Sequence, residues 1–180
     1  TPEGIEFYGD LNLLKAGLLY SDAINTVSPT YCREIQTPEF GCGLDGVLRS
    51  LKYKLSGILN GADYSRWSPE NNTNITAQYG PADLTGKLVC KQELINSSNL
   101  SMNPDDPLLA FITPLVSRKG VDLLEQALPK IRELGCRVIL QGFGDRNYEN
   151  IFTEFAEKYQ DFFVFHNNLD QEQTIRILSG

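Results

Sequence analysis

The sequence predicts an α/β protein built on a parallel β-sheet with flanking helices. Three observations carry that reading. From residue 107 onward, apolar strand-like runs alternate with helix-like stretches in the order strand, helix, strand, helix, strand, helix, which calls for right-handed parallel crossovers. The first of these helices repeats Val121, Leu124, Leu128 and Ile131 three and four residues apart, on one face. Finally, the turns that follow the first two strands, 113–120 and 142–145, bear glycine and charge, with Arg118, Lys119 and Gly120 in the first and Gly142, Gly144 and Asp145 in the second.

The elements before and after that centre follow in order. Asp10 reads as the N-cap of a helix carrying Leu11, Leu14 and Leu18 on one side and ending near Ser21 and Asp22. Residues 23–28 form a short buried strand. Ser28-Pro29 opens the next helix, over 30–35, with proline in the first turn, where its missing N–H is no loss. Residues 40–43 are a glycine-rich loop, and Leu44, Val47, Leu48 and Leu51 restore helical spacing over 44–53. Residues 55–59 read as a strand running into Asn60-Gly61, a strong turn signal. From 62 to about 83 the composition shifts to Asn, Pro, Ser and Tyr, as in an interdomain linker, with Trp67 packing it against a domain. Residues 84–99 are helical with Leu88 and Ile95 facing inward, and 101–106 lead into the strand at 107–112. Residues 136–141 form the second strand, followed by a helix with Tyr148, Phe152, Phe155 and Tyr159 on one stripe. Residues 162–165 form the third, and Asp170 begins the last helix. Three strands make half of a doubly wound sheet. With no initial Met and a helical pattern running up to Gly180, the chain reads as part of a longer protein.

Composition narrows the function. The formal charge is −7, with a pI near 4.7, so no basic stripe exists to meet a nucleic-acid backbone. No apolar run approaches the roughly 20 residues that span a bilayer, and no signal peptide is visible, so a membrane role is not expected. Cys32, Cys42, Cys90 and Cys136 lie far apart, without a C-x-x-C pair, and read as buried free thiols of a reducing compartment rather than a zinc site. Asn71, Asn74, Asn96 and Asn99 each begin an N-x-[ST] triplet and read as polar loop residues.

Chemistry belongs at the carboxyl ends of the parallel strands, where open α/β sheets bind ligands. The turn 113–120 bears Arg118, Lys119 and Gly120 just before a helix, whose first amides are unpaired and whose dipole is positive there. Lys119 is either a solvated surface lysine or a phosphate contact. In Gly142-Phe143-Gly144-Asp145 the glycines let the backbone come close to a ligand, and Asp145 can cap the next helix. His166, the only histidine, reads as a structural or rim residue, and no Ser/His/Asp or Cys/His arrangement assembles. The full G-x-G-x-x-G after the first strand is missing, which ranks an NAD-binding module last.

Several strings in one order resemble a known family. They are Leu14-Lys15-Ala16-Gly17, Asn25-Thr26-Val27-Ser28-Pro29-Thr30-Tyr31, Glu39-Phe40-Gly41-Cys42-Gly43-Leu44-Asp45-Gly46-Val47-Leu48, Gly57-Ile58-Leu59-Asn60-Gly61-Ala62-Asp63, Trp67-Ser68-Pro69 and Lys119-Gly120. Together they resemble bacterial glycogen synthase and plant starch synthase over essentially the whole chain, most specifically in its first seventy residues. The resemblance implies the GT-B architecture. Residues 1–59 would end an N-terminal, acceptor-side Rossmann-like domain, 60–85 would be the linker, and 86–180 would form the first half of the C-terminal, nucleotide-sugar-binding domain. It implies a retaining transfer of glucose from ADP-glucose to the non-reducing end of an α-1,4-glucan, with no metal or other cofactor, by the parent protein rather than by this stretch alone. It also implies a cytoplasmic location, or the plastid stroma in a plant.

The family's turn usually reads Ser-Arg-Leu-x-x-Gln-Lys-Gly, with its Arg and Lys gripping the diphosphate and neutralising the charge that grows as ADP departs. Lys119 and Gly120 match its end, so Lys119 is the expected catalytic and diphosphate-binding residue. Gly142, Phe143, Gly144 and Asp145 match the loop that lies along the nucleotide. The family Arg falls on Pro114, and Arg118 stands where the family has Gln. Loss of one preorganised cationic donor typically costs about 3 kcal/mol in the transition state. Pro114 thus motivates an alternative, a catalytically impaired relative that binds ADP-sugar or glucan.

Overall fold

A computed structural model describes residues 4–180, which divide into two compact units, 4–62 and 63–180. In the first unit, β1 (Glu6–Phe7) and β2 (Asp10–Leu11) form an antiparallel pair. Tyr8 and Gly9 between them both have positive φ, as the tight two-residue hairpins that match strand twist require. This hairpin corrects one expectation. Asp10 lies in β2, and Asn12 caps α1 (Leu13–Tyr20) by accepting the Lys15 N–H at 2.9 Å. Leu11 and Leu14 are exposed, and of the expected stripe Leu18 alone packs on the buried cluster Ile35, Leu44 and Leu48. β3 (Ile24–Thr26) pairs in parallel with β4 (Leu55–Gly57), joined through α2 (Pro29–Glu34) and α3 (Asp45–Ser50). Ser28 caps α2 by accepting the Thr30 and Tyr31 N–H groups, with Pro29 at the first position.

The second unit opens with α4 (Tyr64–Trp67), capped by Asp63, and continues through turns to α5 (Thr85–Ser97). Its sheet has the order β5 (Leu108–Ile112), β6 (Arg137–Gln141), β7 (Phe163–His166), all parallel, with Ala110 opposite Ile139 and Ile139 opposite Val164. The connections are α6 (Val121–Glu133) and α7 (Arg146–Lys158), and α8 (Gln171–Ser179) follows β7. β6 shows the two-residue period of a strand buried on both faces. Val138 and Leu140 join Val121, Leu124, Leu128, Phe152 and Phe163 in one cluster under α6 and α7. Ile139 joins Leu94, Ile95, Leu100 and Ile177 in the other, under α5 and α8. The aromatic stripe of α7 packs as its spacing predicts, with Tyr148, Phe155 and Tyr159 against the first cluster. Leu88 does not face inward as expected. It is exposed, and Cys90, Leu94 and Ile95 form the buried face of α5. The cysteines are unpaired, yet of the four only Cys90 is buried and Cys42 is exposed.

Candidate functional site

The structure places both singled-out turns at the carboxyl end of the sheet and joins them to each other. Past the strand ends the ladder continues. Thr113 N–H donates to Gln141 O at 3.0 Å, Leu115 N–H to Phe143 O at 2.9 Å, and Asp145 N–H back to Leu115 O at 2.9 Å. The Leu115 side chain is fully buried and anchors the first turn in the core. The Gly142 N–H donates to His166 O at 3.0 Å, which ties the second turn to β7 as well.

This stitching explains the glycines differently from the sequence. A Cβ on Gly142 would collide with the Thr113 carbonyl oxygen, and one on Gly144 would lie 2.7 Å from the Leu115 carbonyl oxygen. Their bare backbones admit the neighbouring turn, whatever else they approach.

Residues Ser117–Lys119 form one 3-10 turn, in which Lys119 N–H donates to Val116 O and Gly120 N–H to Ser117 O, both at 2.9 Å. Gly120 then adopts φ 73° and ψ 25°, a left-handed conformation that L side chains rarely take, and serves as the N-cap of α6. A glycine cap has no side chain to offer, so the first amides of α6 have no side-chain partner at the positive end of the helix dipole. Arg118 and Lys119 are exposed beside them, and among the described residues neither side chain has a hydrogen bond or ion pair. Asp122 is the one acidic residue of that first turn.

The start of α7 has the opposite character. Asp145 caps it by accepting the Asn147 N–H at 2.8 Å, and Glu149 Oε1 accepts the Gly144 N–H at 2.9 Å. Two carboxylates already stand there and take the Gly144 and Asn147 N–H groups, so a further anion is repelled. The rim is therefore polarised: an open, basic mouth at α6, and a carboxylate-filled one at α7. Phe143, 53% exposed, presents an aromatic face from the second turn. Ser117 Oγ and the Tyr148 hydroxyl lie 3.4 Å apart and link the first turn to α7.

Pro114 is exposed between the donors Thr113 and Leu115. An N–H at 114 would point away from β6, toward the edge of β5 that has no partner in the described sheet, and a proline is tolerated at such an edge. The fold thus accepts the proline, and no cation is placed at 114. His166 ends β7, and partial burial holds its pKa below the usual value. Among the described residues no group of three or more His, Cys, Asp or Glu side chains is placed to hold a metal ion.

One residue of this rim escaped the sequence argument. Gln141 is fully buried, and its Nε2 donates to Asn168 Oδ1 at 3.0 Å and to Asp170 O at 2.9 Å. Its Oε1 accepts from Thr174 Oγ1 at 2.9 Å. This amide locks the end of β6 to the β7–α8 connection. A lone polar residue closing the apolar run Val138-Ile139-Leu140 was the available signal.

Residues 1–50 match the family described as the starch synthase catalytic domain. A glycogen synthase of Desulfatibacillum aliphaticivorans is 42% identical over 179 residues, 99% of this chain and 37% of that protein. One from Myxococcus xanthus is 45% identical over 93% of this chain and 35% of that protein. The solved catalytic domain of starch synthase IV from Arabidopsis thaliana, bound to ADP and acarbose, superposes with a TM-score of 0.87 at 32% identity, covering 94% of this chain and 35% of that one. The chain thus spans little more than a third of the length of the curated relatives it matches. Identity along nearly the whole chain, a shared α/β architecture and the match over residues 1–50 make this chain similar to the corresponding third of glycogen synthases and starch synthases.

Proposed function

We propose that this chain supplies the diphosphate-binding rim of an ADP-glucose-dependent glucosyltransferase. In the whole protein, glucose would pass from ADP-glucose to the non-reducing end of an α-1,4-glucan with retention of configuration. The observation that carries the reading is the start of α6, where amides without a side-chain partner directly follow the exposed cations Arg118 and Lys119. A diphosphate there would accept hydrogen bonds from the amides and the Lys119 ammonium. That group would offset the negative charge growing on ADP as the glycosidic bond breaks, a preorganised electrostatic role worth a hundredfold or more in rate. Gly120 admits the left-handed cap that leaves the amides open. The acidic mouth at α7 steers the diphosphate away from Asp145, so Gly142, Phe143, Gly144 and Asp145 would lie along the uncharged part of the nucleotide. The starch synthase IV relative was solved with ADP and acarbose, which supports a nucleotide and a glucan as this protein's partners. No step in this reading calls for a metal or a further cofactor.

The test is a chimera in which this chain replaces the matching stretch of the Desulfatibacillum aliphaticivorans glycogen synthase. The chimera is expected to transfer glucose from ADP-glucose to a glucan, and Lys119→Ala to lower kcat about a hundredfold. A folded chimera whose transfer is indifferent to Lys119→Ala would overturn the assignment. The 180 residues alone are expected to be inactive.

A further inference from the structure

The Asn60-Gly61 pair is not used by the site above. We infer that it is a site of spontaneous covalent modification, at which Asn60 converts to a mixture of aspartate and isoaspartate. The reaction needs three conditions: an exposed asparagine amide held by no hydrogen bond, an unengaged N–H on the next residue, and no side chain to hinder attack. The structure meets all three. The last anchored amide before the pair is Ile58, whose N–H donates to Thr26 O at 2.8 Å, and the next anchored group is the Asp63 carbonyl, which accepts from Arg66. Among the described residues, no hydrogen bond engages Asn60 or the Gly61 N–H. Residues 59–62 are all exposed and belong to no helix or strand. A Cβ built on Gly61 meets nothing within 4 Å, so the space around the attacking nitrogen is open.

The step balances without any redox partner. The Gly61 backbone nitrogen, losing its proton to water, attacks Asn60 Cγ and forms a cyclic succinimide. The Asn60 amide nitrogen leaves as ammonia, taking up a proton. Water then adds to either imide carbonyl. Opening at one carbonyl gives aspartate with a normal backbone, and opening at the other gives isoaspartate, with the chain running through the side-chain carbon. The net change is one water consumed, one ammonia released and one negative charge gained, directly before the boundary at residue 62.

Other asparagines lack one condition or another. Asn96 precedes Ser97 inside α5, where backbone hydrogen bonds hold both residues. Asn72 donates to Arg66 O at 3.0 Å and accepts from the Asn74 N–H at 2.9 Å. Asn60 is the single asparagine followed by glycine.

The experiment ages the purified chain at mildly alkaline pH and body temperature and maps its peptides by mass. The peptide containing Asn60 is expected to gain one mass unit before any other, to split into two chromatographic forms, and to accept labelled methyl groups from an isoaspartyl methyltransferase. Gly61→Ala, which the open space accommodates, should slow the change by at least an order of magnitude while circular dichroism stays unchanged. The inference is overturned if the Asn60 peptide keeps its mass while another asparagine peptide changes, or if Gly61→Ala ages as fast as the unaltered chain.

Discussion

In a Gly142→Ala variant the added methyl group would occupy the place of the Thr113 carbonyl oxygen, so the two rim turns must separate. Three backbone hydrogen bonds depend on their present spacing: Thr113 N–H to Gln141 O, Leu115 N–H to Phe143 O and Asp145 N–H to Leu115 O. At about 1 kcal/mol net for each, their loss destabilises the chain by about 3 kcal/mol, a large share of the ~5–15 kcal/mol that holds an ordinary domain together. Urea titration followed by circular dichroism reads the stability. Amide exchange at Thr113 and Leu115 reads the local opening, which should be faster in the variant. Gly61→Ala is the control, because its methyl group meets open space, and it should stay within about 0.5 kcal/mol of the parent. If Gly142→Ala unfolds at the same urea concentration as Gly61→Ala, with exchange at Thr113 and Leu115 unchanged, the account of these glycines as spacers between turns is wrong.

Three other outcomes follow from the same rim. Glu149→Ala removes the acceptor for the Gly144 N–H, so that amide should exchange faster while exchange in the core of α6 is unaffected, as heteronuclear spectra can show. Burial lowers the His166 pKa, so the unfolded chain binds its proton more readily than the folded one. His166 therefore contributes stability above the unfolded value, roughly pH 6.5, and that contribution is lost as pH falls toward the folded pKa; denaturation midpoints across this window should flatten in His166→Gln. Pro114→Arg would place a guanidinium where the resemblance expects one, and ADP should bind about tenfold tighter by calorimetry to the chimera carrying it.

The second unit was largely legible because its elements repeat apolar residues strictly. Val121, Leu124 and Leu128 on α6, and Phe152 on α7, all end up buried, and Asp145 and Asp170 both cap the helices they precede. The first unit was less legible. The hairpin Glu6–Leu11 is set by positive φ at Tyr8 and Gly9, and Tyr8 is not a residue that announces such a turn. Leu11 and Leu14 match a helical stripe in sequence, yet a two-residue strand and an asparagine cap displaced the helix start by two positions. On α5, Leu88 fits the inward spacing as well as Cys90 does, yet it is Cys90 that is buried, with its Sγ donating to Ala77 O at 3.2 Å.

At the site, sequence showed where charge and glycine concentrate but not how the backbone groups are engaged. The open amides of α6 and the carboxylate-filled start of α7 become distinct only when Glu149 is seen on the Gly144 N–H. Gln141 was hidden for a similar reason. Its three partners come from Asn168, Asp170 and Thr174, far along the chain, and no local pattern brings them together.

Amide chemical shifts of the chain titrated with ADP address the central claim most directly, with inorganic pyrophosphate as the companion probe. The account predicts that both ligands move Lys119, Gly120, Val121 and Asp122 most, and that Lys119→Ala suppresses the response. Shifts centred instead on Asp145, Arg146 and Asn147, or none at the start of α6, would contradict it.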